Sequence, residues 1–195
     1  MNKAEVNILL EGVTRKISDK EWEASPNVIL IKDSGKNILV DPGTNPELLN
    51  ILSKHNLTLY SIDMIFLTHY HIDHLLNIRF FPKVDVVEGG LIHRNQKEIA
   101  FSDKIPGTNI HIIPTPGHAY EHTSLIAETK IGRVCIAGDL WWWEDGEQKT
   151  DSTSLIHHED PFVKDKRALK ESRERILALA DWIIPAHGKM FKVKK

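Results

Sequence analysis

The chain has 195 residues, 41% of them hydrophobic and 27% charged, proportions that suit one soluble domain with a true core and exclude a disordered or fibrous polymer. A formal net charge of -2 gives no global attraction to nucleic acid or anionic membrane, although Lys189, Lys192, Lys194 and Lys195 make the C-terminal end locally basic. The opening Met1-Asn2-Lys3-Ala4-Glu5-Val6 alternates polar and apolar residues, no run is long enough to span a bilayer, and Cys135 is the lone cysteine, features that predict a cytoplasmic protein without an internal disulfide.

Along the chain, Val28-Ile29-Leu30-Ile31 and Ile38-Leu39-Val40 are β-branched runs on either side of the turn composition Asp33-Ser34-Gly35-Lys36, which predicts an antiparallel hairpin. From Pro46 to Lys54 the apolar residues Leu48, Leu49, Ile51 and Leu52 predict a helix, with Asn45 as its N-cap and Pro46 in its first position. Ile62 to Leu67 reads as a buried strand, as do Val84–Val87, Ile110–Ile113, Ser124–Ala127 and Val134–Ala137. Asp160-Pro161 is expected to open a long helix whose apolar positions include Leu169, Ile176, Leu177 and Ala180, and Trp182-Ile183-Ile184 is a last short strand. Cys135, within Val134-Cys135-Ile136-Ala137, is expected to be a buried thiol.

Eleven histidines are present, and their placement carries the chemistry. The segment His69-x-His71-x-Asp73-His74 packs four potential ligands into six residues just after a strand, where a loop can turn them towards two metal sites. One histidine so placed is an ordinary polar loop residue; four clustered donors are not. The pattern of strand followed by donor recurs at Pro114-Thr115-Pro116-Gly117-His118, at Ala137-Gly138-Asp139 and at Pro185-Ala186-His187-Gly188.

These motifs, preceded by Asp41-Pro42-Gly43, resemble the metallo-β-lactamase superfamily over residues 28 to 188. The resemblance implies an α+β fold, a four-layer αββα sandwich formed by a single domain over residues 1–195, with metals at one edge. It also implies that His69, His71 and His118 hold one metal, that Asp73, His74 and His187 hold a second, and that Asp139 bridges them. Asp41 would orient a ligand histidine, with turn capping as the alternative. Two divalent ions are the expected cofactors, zinc first, with iron or manganese also suited to nitrogen donors plus a carboxylate.

The implied reaction is hydrolysis of a small ester, thioester, lactone or phosphodiester by a hydroxide that bridges the ions, with Asp73 orienting it. True β-lactamases of the superfamily lack the aspartate found at 139, and flavin-linked diiron members carry a glutamate where His71 stands. The seven residues after Gly188 leave no room for the helical region with which glyoxalase II enzymes bind glutathione, so glutathione thioesters are not the expected substrates. Two other readings stand beside this one: a mononuclear iron dioxygenase acting on a sulfur compound, and a metal-binding partner module that uses the tryptophan patch.

Around the ligands, one indole of Trp141-Trp142-Trp143 is expected to form an apolar substrate wall while the other two pack. Tyr70 and Tyr120 are candidate donors to an oxyanion. His122, His157 and His158 read as surface or satisfied polar groups, and His55, His93 and His111 as structural.

Overall fold

Strands that are apolar at every position have two faces to bury. A computed structural model, which describes residues 3–194, shows both faces covered. Met1 and Asn2 of the N-terminal alternation and Lys195 of the basic end lie outside the described residues.

The chain starts with β1 (Glu5–Leu10), a hairpin of β2 (Val13–Ser18) and β3 (Glu21–Ser25), and a second hairpin of β4 (Val28–Asp33) and β5 (Lys36–Val40). Helix α1 (Leu48–Lys54), β6 (Met64–Leu67) and the single-turn α2 (Ile72–Leu75) follow, then β7 (Asp85–Glu88), β8 (Leu91–Arg94) and β9 (Lys97–Ala100). The second half holds β10 (His111–Pro114), β11 (Thr123–Thr129), the long β12 (Gly132–Trp142), helices α3 (Ser152–His157) and α4 (Lys166–Leu179), β13 (Trp182–His187) and β14 (Phe191–Lys192). No helix among the described residues is long and apolar enough to cross a membrane.

Seven strands form one sheet in the order β1-β4-β5-β6-β7-β8-β9, and five form a second in the order β10-β11-β12-β13-β14; β2 and β3 stand apart as a ribbon. The predicted hairpin is present, with Ile29 opposite Val40 and Ile31 opposite Ile38. Alternation of side chains sorts the strand residues into layers. Ile29, Ile31, Ile38, Val40 and Phe66 meet Ile112, Leu125, Val134, Ile136 and Ile184 between the sheets. Val28, Leu30, Leu39 and Ile65 point the other way, onto Leu48 and Leu52 of α1. Ile126, Cys135, Ala137 and Ile183 face Leu155 of α3 and Leu169 and Ile176 of α4. The result is helix, sheet, sheet, helix, with each fully buried aliphatic side chain contributing roughly 1.5–3 kcal/mol.

Two predicted helix starts shift. The first helix begins at Leu48, and Asn45 instead closes the preceding turn by accepting from the Glu47 N–H at 2.8 Å. The last begins at Lys166 with Asp165 as N-cap, its carboxylate accepting from the Ala168 N–H at 2.9 Å. Asp160 lies outside that helix because the intervening segment is tied elsewhere: the N–H groups of Lys164 and Asp165 both donate to the Gly117 carbonyl. Asp160 is thereby freed for another partner.

The topology gathers strand ends at one edge of the sandwich. Because β5 and β6 run parallel, Asp41 and Thr68 emerge side by side, and the Thr68 N–H donates to Asp41 Oδ1 at 2.9 Å. Parallel pairing of β12 with β13 brings Asp139 and His187 to the same edge. The Thr123 N–H donates to the Thr68 carbonyl at 2.9 Å, which joins the two sheets there.

Candidate metal centre

All seven donors singled out in the sequence come together at this edge. His69, His71, His118 and Asp139 form one group, and Asp73, His74 and His187 form another, the donor atoms within each lying no more than 4.8 Å apart. Asp139 faces both. Its Oδ2 lies 3.3 Å from His118 Nε2 and 3.6 Å from His69 Nε2, while its Oδ1 lies 3.4 Å from His74 Nε2 and 3.7 Å from His187 Nε2. Asp73 Oδ2 sits 3.3 Å from His187 Nε2 and 3.7 Å from His74 Nε2. His71 contributes its other nitrogen, with Nδ1 3.0 Å from His118 Nε2.

Local structure explains how each donor is aimed. His69 leaves the end of β6, and the chain turns into α2 with His71 at its N-cap, so Asp73 and His74 ride on a helical turn rather than a loop. Asp139 follows Gly138, whose φ of +54° and the register shifts around it break the regular pairing of β12. A Cβ at Gly138 would sit 2.5 Å from His122 Nε2, so the glycine is required for the close approach of these segments.

The far nitrogens of the histidines are held as well, which fixes their orientation. His74 Nδ1 donates to Asp41 Oδ2 at 3.0 Å, and the Thr68 hydroxyl donates to the same oxygen at 2.8 Å while lying 3.0 Å from His69 Nδ1. One carboxylate thus steadies two ligands. Asp41 does this with φ at +45°, a backbone region that costs a non-glycine residue energy and is found at functional sites. Of the two roles open for Asp41, the orienting one matches these contacts. His187 Nδ1 donates to the Val13 carbonyl at 3.2 Å, and His118 Nδ1 faces Asp160 Oδ2 at 2.7 Å.

Electrostatics follow from burial and from these carboxylates. Burial presses His69 well below the ordinary histidine range. For His74 and His118, burial opposes the charge but neighbouring carboxylates outweigh it: Asp139 and Asp41 hold His74 well above its usual range, and Asp139 with Asp160 pushes His118 up to about 9. Burial works to raise the Asp139 carboxyl, but His74, His187 and His118 together hold it well below the usual carboxylate range.

Three of the ligand atoms are buried without a hydrogen-bond partner among the described residues: His69 Nε2, His74 Nε2 and Asp139 Oδ1. Each such atom costs about 1–3 kcal/mol. A cation in each group would satisfy all three at once, and nitrogen donors with shared carboxylates suit a transition-metal ion.

Two residues outside the sequence-derived ligand set also shape the centre. Asp160 reads in the sequence as a helix start, and only its acidic character and position before a proline point to it. His122 is fully buried beneath Asp139: its Nε2 accepts from the Asp139 N–H at 3.1 Å, and its Nδ1 donates to Thr115 Oγ1 at 2.9 Å. It is a satisfied polar histidine, as expected, but one that supports a ligand.

Trp142 is the indole beside the centre, with Nε1 3.4 Å from Asp160 Oδ1, whereas Trp141 and Trp143 are buried in packing. Burial and the neighbouring Glu88 carboxylate push the Tyr70 hydroxyl up, and Tyr120 is exposed. His158 donates to the Trp142 carbonyl at 2.6 Å, His93 pairs with Glu88, and Cys135 is buried.

Comparison with known proteins gives one consistent result. The family model of the metallo-β-lactamase superfamily matches residues 22–101. Metallo-beta-lactamase domain-containing protein 1 of Xenopus laevis is 30% identical over 97% of this chain and 82% of its own length; against the rat protein of that name the chain covers 63%. Among solved structures, the dizinc quorum-quenching lactonase AidC, in complex with a product, superposes with a TM-score of 0.64 at 18% identity, covering 86% of this chain and 73% of that one. A protein crystallised in a di-iron-bound form also gives 0.64, at 20% identity, covering 94% and 95%. At these identities the structures establish the shared αββα fold.

Proposed function

Since the chain belongs to the metallo-β-lactamase superfamily, we propose that it is a metal-dependent hydrolase whose dinuclear centre cleaves a small ester, thioester, lactone or phosphodiester. One observation carries this reading: the two oxygens of Asp139 face separate donor groups, Oδ2 towards His69 and His118 and Oδ1 towards His74 and His187. A mononuclear oxidation site needs only one of these groups. The second, with His74 and His187 buried beside Asp73, would then be a donor set without a purpose. The zinc pair of the lactonase and the iron pair of the other structure are properties of those proteins, and both are compatible with this donor set.

His69, His71, His118 and Asp139 would hold one ion, and Asp73, His74, His187 and Asp139 the other. When bound, the pair supplies Lewis acidity and a hydroxide nucleophile near neutral pH. The chain does the rest. Asp41, Asp160 and the Val13 carbonyl keep the imidazoles aimed, and the complete burial of His69, His74 and His118 keeps bulk water from their donor atoms. Only His71 and Asp73 are partly open, so the substrate carbonyl or phosphoryl group is expected to approach from their side, where Asp73 orients the attacking oxygen. Residues 1–195 would act as one domain on a small molecule.

Elemental analysis of untagged protein, beside a His69→Ala control, is the test. Two equivalents of metal in the native protein, reduced in the control, with turnover on a lactone, thioester or phosphodiester panel, are expected. One equivalent of iron would redirect the search to oxygen-dependent sulfur chemistry, and absence of metal would remove the basis of the proposal.

A further inference from the structure

Behind the Asp160 wall lies a second feature that the metal centre does not use. A cavity of about 750 Å3, a size that accommodates a small organic ligand, opens between α4, α3 and the end of β12. Trp142, Trp143, Ile156, Val163 and Leu169 give it apolar walls, and Arg173 lines it as well. The Arg173 side chain is 97% buried, since only 3% of its surface is exposed. Its Nε donates to the Leu140 carbonyl at 2.8 Å and its Nη1 to the His158 carbonyl at 2.6 Å, but its Nη2 is buried with no partner among the described residues.

That arrangement is costly by itself. Two carbonyls orient the guanidinium but do not neutralise it. The carboxylate whose charge favours it, Asp160, is committed: Oδ2 to His118, and Oδ1 to the Phe162 N–H at 2.9 Å and to Trp142 Nε1. Burial draws the Arg173 pKa down to about 10, a sign of how poorly the charge is compensated. Buried charges in proteins are paired, and an arginine's planar fork matches a carboxylate. Charges of both signs line the mouth, with Lys166 and Lys170 on α4 and the half-buried Glu144 and the exposed Glu147 and Glu159 opposite, and solvent screens them. Of the two buried charges in the lining, Asp160 already has its partners, so Arg173, the one without a counter-charge, sets the preference.

We infer that this cavity is a binding site for a small carboxylate with an apolar or aromatic body, the carboxylate meeting Arg173 and the body resting on Trp142 and the aliphatic wall. The site borders the metal centre through Asp160 and Trp142 but is lined by none of its seven ligands, and its occupancy does not depend on the hydrolase reading.

The test is titration of the full-length, metal-loaded protein with 3-phenylpropionate, followed by calorimetry and by the fluorescence of the cavity tryptophans. The neutral 3-phenylpropionamide and inorganic phosphate serve as comparison probes. Saturable binding of the carboxylate, at least tenfold tighter than that of the amide, is expected, and Arg173→Met should erase the difference. Should that variant fail to fold, Arg173→Lys keeps a charge but not the planar fork and should narrow the advantage of the carboxylate over the amide to a few-fold. Because anions also bind metals, the titration is repeated on His69→Ala protein, where binding should persist; its loss there would place the anion at the metal centre and overturn the inference. Equal binding of carboxylate and amide, tighter binding of phosphate, or indifference to both Arg173 substitutions would overturn it too.

Discussion

Asp160 Oδ2 stands 2.7 Å from Nδ1 of His118, closer than the 3.0 Å that separates Asp41 from His74. The pair is buried, and the carboxylate is itself anchored through Oδ1 by the Phe162 N–H. Such a partner fixes the tautomer that leaves Nε2 free and raises the basicity of the ligand. Asp160→Asn keeps the shape but removes the charge. It is expected to fold and to bind metal about 10–100-fold more weakly, as is usual for carboxylates that support ligand histidines. Competition with a chromophoric chelator measures this, and an unchanged affinity would remove Asp160 from the centre.

Asp41 holds two histidines at once, so its replacement should be worse than that of Asp160. Asp41→Ala loses the acceptor for the Thr68 N–H, the Thr68 hydroxyl and His74 Nδ1 while keeping a φ of +45° that alanine tolerates poorly. Asp41→Asn tolerates that φ and keeps one acceptor. The expected order of melting temperature and metal content is wild type, then Asn, then Ala; equal values for the two variants would show that the backbone, not the carboxylate, is what matters.

Much of this could be read in the residues. The runs Val28–Ile31 and Ile38–Val40 are apolar on both faces and could only be buried strands, and the cluster His69-x-His71-x-Asp73-His74 has no ordinary use. The parts that stayed hidden depend on long-range contact. Exposed, charged strands such as β2, β3 and β9 carry too few apolar residues to show a period. Asp160 resembles a helix start because the local sequence Asp-Pro is one; its true partner, His118, is 42 residues away. His122 differs from a ligand only in lying under Asp139 rather than beside it, a distinction of depth that spacing does not encode.

Glycine substitutions should separate backbone strain from steric conflict. Gly35 has a φ of +78° and open space, with nothing within 4 Å of where a Cβ would stand, whereas at Gly117, with φ +141°, a Cβ would lie 2.3 Å from the Leu169 backbone in α4. Gly35→Ala should cost about 1–2 kcal/mol, the conformational penalty alone. Gly117→Ala should cost at least ~3 kcal/mol and metal occupancy as well, because His118 is the next residue and α4 must shift. Denaturant unfolding of both compares them, and similar losses would mean that α4 yields freely.

Bridging by Asp139 is testable through metal stoichiometry. Its Oδ1 and Oδ2 face different donor groups, so Asp139→Ala should lower occupancy of both sites along with turnover, whereas His187→Ala should spare the site built on His69, His71 and His118. Retention of two equivalents and full activity in Asp139→Ala would contradict the bridge.

His122 gives the centre a pH signature that can be isolated in chelator-treated protein. Burial holds its pKa down to about 3, against 6.5 for an unhindered histidine. Between those values the unfolded chain binds a proton that the folded one refuses, so the stability associated with a neutral His122 is present above 6.5 and is lost as pH falls. His118 acts in the other direction: raised to about 9, it contributes fully below 6.5 and loses that contribution as pH climbs through 9. Comparing wild type with His122→Gln, whose amide oxygen can still accept from the Asp139 N–H, cancels His118 and the carboxylates. From pH 6.5 to 4.5, at about 1.4 kcal/mol per unit, wild type should lose on the order of 2–3 kcal/mol more than the variant. Protonation at Nε2 would also break the hydrogen bond from Asp139, so the loss should appear in the position of a metal ligand as well as in global stability. Melting curves at pH 7.5, 6.0 and 4.5 decide the matter: converging curves support a neutral His122 as the support beneath Asp139, and parallel ones would show that the ring accepts its proton without penalty.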